Sequence, residues 1–226
     1  IERNAIVQAA EKAGGGQVYL EEEPKVAAVG AGMDIFQPRG NMVIDMGGGT
    51  SDIAVISLGD IVASKSIRIA GDKMNTEIVT YIKQKHGLII GEHTSEKIKI
   101  EIGTAKKDTD DVKKLEVRGR DAVTGMPRAI TIDSNEVADA IADTVQLIVD
   151  GAKEVLEIIP PELASDIVDR GIMLTGGGAL LRNIDQVISD ALTVPVIISE
   201  NPLDNVAKGA GVLLEQYIKN PKLKAK

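Results

Sequence analysis

Cysteine and tryptophan are absent from this 226-residue chain, phenylalanine occurs once, and the only histidines are His86 and His93. The missing thiols exclude disulfides, thiolate catalysis and thiolate zinc sites, and two imidazoles are too few for a histidine-based metal centre. No apolar run approaches the roughly 20 residues that cross a bilayer, and the opening IERNAIVQAAEKAG lacks the basic and apolar regions of a signal peptide. The cytoplasm is therefore the expected compartment. A formal charge of −8 argues against general nucleic-acid binding. The chain opens on Ile1 rather than Met, which reads as the later part of a longer polypeptide. What is present suits a globular protein: 43% hydrophobic and 27% charged residues, enough for one large or two modest domains.

The patterning predicts an α/β order. Apolar positions within 2–13 form a helical face that GGG at 14–16 stops; VYL at 18–20 reads as a short buried strand, and Pro24 starts a helix. Residues 42–45 are a strand, followed by two more β-rich runs separated by Gly59 and Asp60, a meander around a glycine cluster. Asp72 can cap a helix carrying Met74, Ile78 and Ile82, and Thr94 another carrying Ile98 and Ile102. A polar, exposed loop at 104–114 precedes edge strands at Leu115/Val117 and Ile130/Ile132. Ser134 can cap a long helix that Pro160 and Pro161 end. GIMLTGGGALL reads as strand, glycines and helix, VPVIIS as a strand, and Asn201 with Pro202 as the start of a last helix. The polar stretch from about 64 to 128, between two strand-and-glycine units, reads as an inserted subdomain.

The glycine clusters carry the chemistry. In VIDMGGGTSDIAV (43–55), three glycines let successive backbone N–H groups converge on one point, an anion site for which phosphate is the obvious guest. A P-loop or dinucleotide fold requires a helix next, whereas TSDIAVIS is β-branched and alternating, a hairpin cradle. Asp45 would repel a polyphosphate unless a cation intervened, so it makes best sense as a direct or water-mediated ligand of Mg²⁺ held with the phosphates. Thr50 adds a hydroxyl beside the terminal phosphate. Alone, GGGT is equally a tight hairpin turn; the second cluster, LTGGGALL (174–181), again at a strand end, favours a nucleotide.

IDMGGGTSDIAV resembles the second phosphate motif of the actin and heat-shock-chaperone ATPase superfamily, and GIMLTGGGALL its adenosine motif. EEEPKVAAVGAG (21–32) and NPLDNVAKGAG (201–211) resemble its two connecting helices. More closely, RIAGDKMNTEIVTYI, IGEHTSEKIKIEIGTA, EVRGRDAVTGMPR and PPELASDIVDRGIMLTGGGALLRNID are similar, in sequence and spacing, to the MreB family of bacterial actin homologues, over nearly the whole chain. The resemblance implies an actin-like (ribonuclease H-like) ATPase fold, two lobes around a nucleotide cleft, with the first lobe incomplete here. Residues 1–28 would belong to subdomain IA, 29–64 to IIA, 65–128 to IIB, 129–197 to IIA, and 198–226 to IA with a C-terminal tail.

Site roles follow by resemblance. Glu23 matches the glutamate that orients the attacking water, with Thr50 as its partner, although residues 21–23 alone read as a solvated acidic turn. Asp45 matches the Mg²⁺-associated aspartate. Gly47, Gly48 and Gly49 match the phosphate cradle, and Gly71 and Asp72 the region near ribose and phosphates. Glu96, Lys97 and Lys99 fall in the nucleoside-binding helix; Glu96 and Lys99, three apart, reach together toward ribose and adenine or form an ordinary surface ion pair. Gly176, Gly177, Gly178 and Ala179 would line the other side of base and sugar. Lys25, where the family more often has an apolar residue, and IAG (69–71), in place of a more usual glycine pair, leave the hydrolysis rate open.

The implied ligands are ATP or ADP with Mg²⁺, and the implied activity is slow ATP hydrolysis coupled to polymerisation that governs bacterial cell shape. Implied partners are further copies, head to tail in protofilaments and in antiparallel pairs through the first lobe, where helix 1–13 would contribute, the inner face of the cell membrane, and the cell-wall elongation machinery; nucleic acid is not among them. Lys219, Lys222, Lys224 and Lys226 suit an anionic membrane surface or a solubilising tail. The rival functions are a small-molecule kinase and a chaperone-type ATPase of the same superfamily.

Overall fold

The computed structural model describes residues 2–219. In chain order it contains α1 (Glu2–Lys12), α2 (Glu23–Gly30), β1 (Asn41–Met46), β2 (Ser51–Ser57), β3 (Asp60–Ile67), α3 (Gly71–His86), β4 (Leu88–Ile89), α4 (Glu92–Ile102), β5 (Lys114–Asp121) and β6 (Pro127–Asp133). It continues with α5 (Ser134–Ile158), α6 (Pro161–Arg170), β7 (Ile172–Thr175), a single 3₁₀ turn (Gly177–Leu180), α7 (Ile184–Leu192), β8 (Val196–Ile198) and α8 (Asn205–Lys219).

The main sheet has the order β3-β2-β1-β7-β8, an antiparallel meander to which β7 and β8 add in parallel. β1 lies at its centre and all six of its residues are buried. Successive strand residues point to opposite faces, so Met42, Ile44 and Met46 join the core beneath α3 and α5, while Val43 joins Ala54, Ile56, Leu213 and Tyr217 beneath α2 and α8. Both faces are thus covered, as the parallel part of a sheet requires. α2 and α8 cross in near backbone contact: a Cβ on Gly30 would lie 1.8 Å from the Asn205 carbonyl oxygen, and one on Gly209 1.9 Å from that of Val26. Any side chain at either position would force the two helices apart. A second sheet, β4-β5-β6, packs with α3 and α4.

Several boundaries differ from the sequence reading, each for a local reason. VYL forms no strand; Tyr19 instead packs on the Tyr217 ring, centroids 5.4 Å apart. Asp72 and Thr94 lie inside the first turns of α3 and α4, whose N-caps are Ala70 and Gly91. β5 is the middle strand of its sheet, because the two residues of β4 pair with Arg120 and Asp121. Pro161 opens α6, since its missing N–H costs nothing at a first helical position. The glycines after β7 lead into one 3₁₀ turn, and α8 begins at Asn205, four residues beyond Asn201. Lys219 ends α8, paired with Glu215, while Lys222, Lys224 and Lys226 lie outside the described residues.

The long α5 is capped by Asp133, not Ser134. Asp133 Oδ1 accepts from the Glu136 N–H at 3.0 Å and Glu136 Oε2 from the Asp133 N–H at 3.2 Å, a reciprocal capping box. Asp133→Ala should cost about 1 kcal/mol of unfolding free energy, read by urea denaturation at pH 7. A loss below about 0.3 kcal/mol would mean the cap is dispensable.

Candidate functional site

β1 and β7 are parallel neighbours with Asp45 opposite Thr175, so both glycine segments leave the sheet side by side from strand C-termini. In open α/β sheets that is where ligands bind. The segments touch: a Cβ on Gly176 would lie 2.4 Å from the Met46 carbonyl oxygen and 2.5 Å from Asp45 Oδ1, and one on Gly178 2.6 Å from Met46 Cβ. Gly176 has φ +79°, a conformation costly for other residues.

The first turn is held from within and from α3. The Gly47 N–H donates to the Thr50 carbonyl at 2.9 Å, while the Gly47 and Gly48 carbonyls accept from the N–H groups of Gly71 (3.2 Å) and Asp72 (2.8 Å). The N–H groups of Gly48, Gly49 and Thr50 donate to no described residue. A Cβ on Gly49 would meet nothing within 4 Å. Free N–H donors bordering open space suit an oxyanion. The Thr50 hydroxyl is oriented by donating to Asp52 Oδ2 at 2.9 Å, and Asp72 places its exposed carboxylate beside Gly48.

Asp45 is 4% exposed. Burial, then the charges of Glu23 and Asp52, push its carboxyl up to about 6. No described residue donates a hydrogen bond or offers a cation to it. Glu23 stands exposed at the start of α2, near enough for its charge to be felt at Asp45. Among the described residues no cluster of three or more acids or imidazoles is arranged to hold a metal by itself.

The Glu96 side chain joins the site through Lys99. Lys99 Nζ donates to Glu96 Oε2 and to the Gly71 carbonyl, both at 3.1 Å, and Gly71 in turn donates to Gly47. Glu96 also accepts from Asn75 Nδ2, and the hydrogen bonds from Asn75 and Lys99 hold its carboxyl below the ordinary range. Lys97 stands apart on the exposed face of α4, 3.7 Å from Glu101. Lys25 pairs with Glu21 at 3.0 Å, both side chains 12% exposed, and Tyr217 donates to the same glutamate. The change at position 25 is therefore absorbed by a shielded ion pair.

On the other side, the Gly176 N–H donates to the Pro202 carbonyl at 3.0 Å, and buried Asn205 donates to Thr175 Oγ1 (2.8 Å) and Ser199 Oγ (2.6 Å). This network, which ties 176–179 to α8, and Asn75 were both missed by the sequence reading. For Asn205 the signal was an amide in the first turn of a helix read as starting at 201. A separate cavity of about 290 Å³ opens at the opposite ends of β1 and β7, lined by Asn41, Arg170, Ile172 and Met173. It shares no residue with the glycine turns, which lie open at the surface.

The MreB/Mbl protein family model matches residues 1–222. The chain is 57% identical over 224 residues to the cell shape-determining protein Mbl of Bacillus subtilis, covering 99% of this chain and 67% of that protein. Crystal structures of MreB5 of Spiroplasma citri, bound to ADP and to AMPPNP, superpose with TM-score 0.93 at 40% identity, covering 98% of this chain and 67% and 66% of theirs. The MamK double helical filament shares the fold at TM-score 0.76 and 19% identity, over 94% of this chain and 64% of that one. The fold is therefore actin-like, and the chain spans about two thirds of the length of the relatives it matches.

Proposed function

The chain belongs to the MreB/Mbl family, and from that premise we propose that it is the larger part of a cytoskeletal ATPase whose filaments govern bacterial cell shape. The observation that carries this reading is the contact of two glycine turns around a buried, uncompensated Asp45. The relatives it matches bear cell-shape names and include nucleotide-bound structures, which supports nucleotide binding and favours neither a kinase nor a chaperone.

In this proposal the free N–H groups of Gly48, Gly49 and Thr50 hold phosphate oxygens, and Asp45 holds Mg²⁺ directly or through water. Gly176, Gly177 and Gly178 give a flat wall for sugar and base, whereas Ala179, expected to share that role, is fully buried in the core behind them; Glu96 accepts from ribose hydroxyls, and Lys99 lies along the base. Asp72, beside Gly48, faces the same phosphates. The bound nucleotide supplies the transferable phosphoryl group, and Mg²⁺ offsets its charge. Glu23 and Thr50 orient the attacking water, a positioning role in which a carboxylate and a hydroxyl act as acceptors. The subdomain limits expected at 28/29, 64/65, 128/129 and 197/198 belong to the same proposal.

The protein is proposed to work in the cytoplasm along the inner face of the cell membrane, stacking head to tail with copies of itself and pairing protofilaments in antiparallel fashion. The cell-wall elongation machinery is the further proposed partner. Sedimentation of the complete protein tests the reading: it should pellet with Mg²⁺ and ATP and release phosphate slowly. Protein that stays in the supernatant under all nucleotide, salt and lipid conditions would overturn it.

A further inference from the structure

Asn75 presents an anomaly that packing does not explain. It lies in the first two turns of α3, is 2% exposed, and is flanked in sequence by the core residue Met74. Its Nδ2 donates across to Glu96 Oε2 on α4, yet its Oδ1 accepts from no described residue. A buried amide with an orphaned acceptor is a net cost to the fold, because the lost hydration of that oxygen is returned by nothing. An apolar side chain of similar volume would serve the core better. What Asn75 supplies is direction: Glu96 is 43% exposed on its own helix, free to rotate into solvent, and it is held by one bond from Asn75 on one side and one from Lys99 on the other. Glu96 thereby turns toward Lys99 and Gly71, the residue that bonds the phosphate turn.

We propose that Asn75 is a positioning residue that fixes the Glu96 carboxylate for the 2′- and 3′-hydroxyls of the nucleotide ribose, so that ribose recognition is set from α3 through α4. The assignment rests on the nucleotide reading above. It places the selectivity for ribose over deoxyribose in a residue that does not itself touch the ligand. Pre-orientation of a flexible carboxylate removes the entropy that binding would otherwise spend on it.

The test uses the complete protein with ATP and 2′-deoxy-ATP as probes, affinity measured by calorimetry and folding by thermal denaturation. Wild type should prefer ATP about tenfold, the effect of one hydrogen bond to a charged acceptor. Asn75→Leu should lower ATP affinity to near that of 2′-deoxy-ATP, change 2′-deoxy-ATP affinity less than about twofold, and leave the melting temperature unchanged or raised. Asn75→Met, flexible and without a donor, should lose the same preference even if the leucine variant folds poorly. Glu96→Gln with either change should add no further loss of preference, since the two act as one unit. Equal weakening of both nucleotides with a lowered melting temperature would show a merely structural Asn75 and overturn the proposal. So would a retained preference in both Asn75 variants while Glu96→Gln abolishes it, which leaves the nucleotide site standing. Glu96→Gln that leaves the preference unchanged would also overturn the inference while the nucleotide site stands; wild type that binds neither nucleotide would remove the site itself and this inference with it.

Discussion

Asp45→Asn is expected to stabilise the nucleotide-free protein while abolishing its Mg²⁺-dependent grip on ATP. Burial, with the charges of Glu23 and Asp52, pushes this carboxyl up to about 6, so between the ordinary carboxylate range and that value the folded state holds a proton that the unfolded chain has released. Stability then falls as pH rises through that window, and above it the charged carboxylate costs the folded state on the order of 2–3 kcal/mol. The amide keeps the shape without the charge. Urea denaturation of the nucleotide-free variant at pH 7 should show a gain of about 2 kcal/mol, with the loss between pH 4 and 6 flattened. ATP affinity in Mg²⁺ should drop on the order of 100-fold, equivalent to about 2.7 kcal/mol. A destabilised variant with unchanged ATP affinity would mean that Asp45 is an ordinary buried polar group.

Gly176→Ala should be strongly destabilising. The new methyl would lie 2.4 Å from the Met46 carbonyl oxygen and 2.5 Å from Asp45 Oδ1, at a residue with φ +79°. Backbone of the central strand β1 cannot swing aside as a side-chain end can. The expected loss is about 3–4 kcal/mol, left-handed strain and overpacking together. Gly49→Ala is the matched control, since a Cβ there meets nothing within 4 Å. It should change stability by less than about 0.5 kcal/mol, while its methyl occupies the space assigned to phosphate and lowers ATP affinity about tenfold or more. Equal stability losses for the two variants in thermal and urea denaturation would contradict the geometry.

The parts legible in the sequence were those where one physical signal acted alone. β1 and β2 show apolar runs and alternation around a glycine cluster, and the structure pairs them residue by residue from Asn41 with Ile56 to Met46 with Ser51. Where two signals compete, the sequence alone does not decide between them. Pro160 and Pro161 signal a helix stop, but a proline at a first helical position also starts a helix, as it does in α6. Ser134 and Asp133 are both good caps, and the deciding partner was Glu136, three residues after Asp133. Asp72 looked like a cap, but its N–H is spent on the Gly48 carbonyl and α3 begins before it. At the site, Asp45 and the glycines stand out because their residue types are hard to explain otherwise. Asn75 and Asn205 do not, since a single amide in an amphipathic helix looks like surface until its burial and partners are seen.

The most direct measurement is a crystal structure of the complete protein with Mg²⁺ and AMPPNP. The nucleotide phosphates should lie against the N–H groups of Gly48, Gly49 and Thr50, the metal beside Asp45, and the sugar and base between Glu96 and the 176–179 segment. Density for the nucleotide anywhere else, or a metal remote from Asp45, would contradict the account.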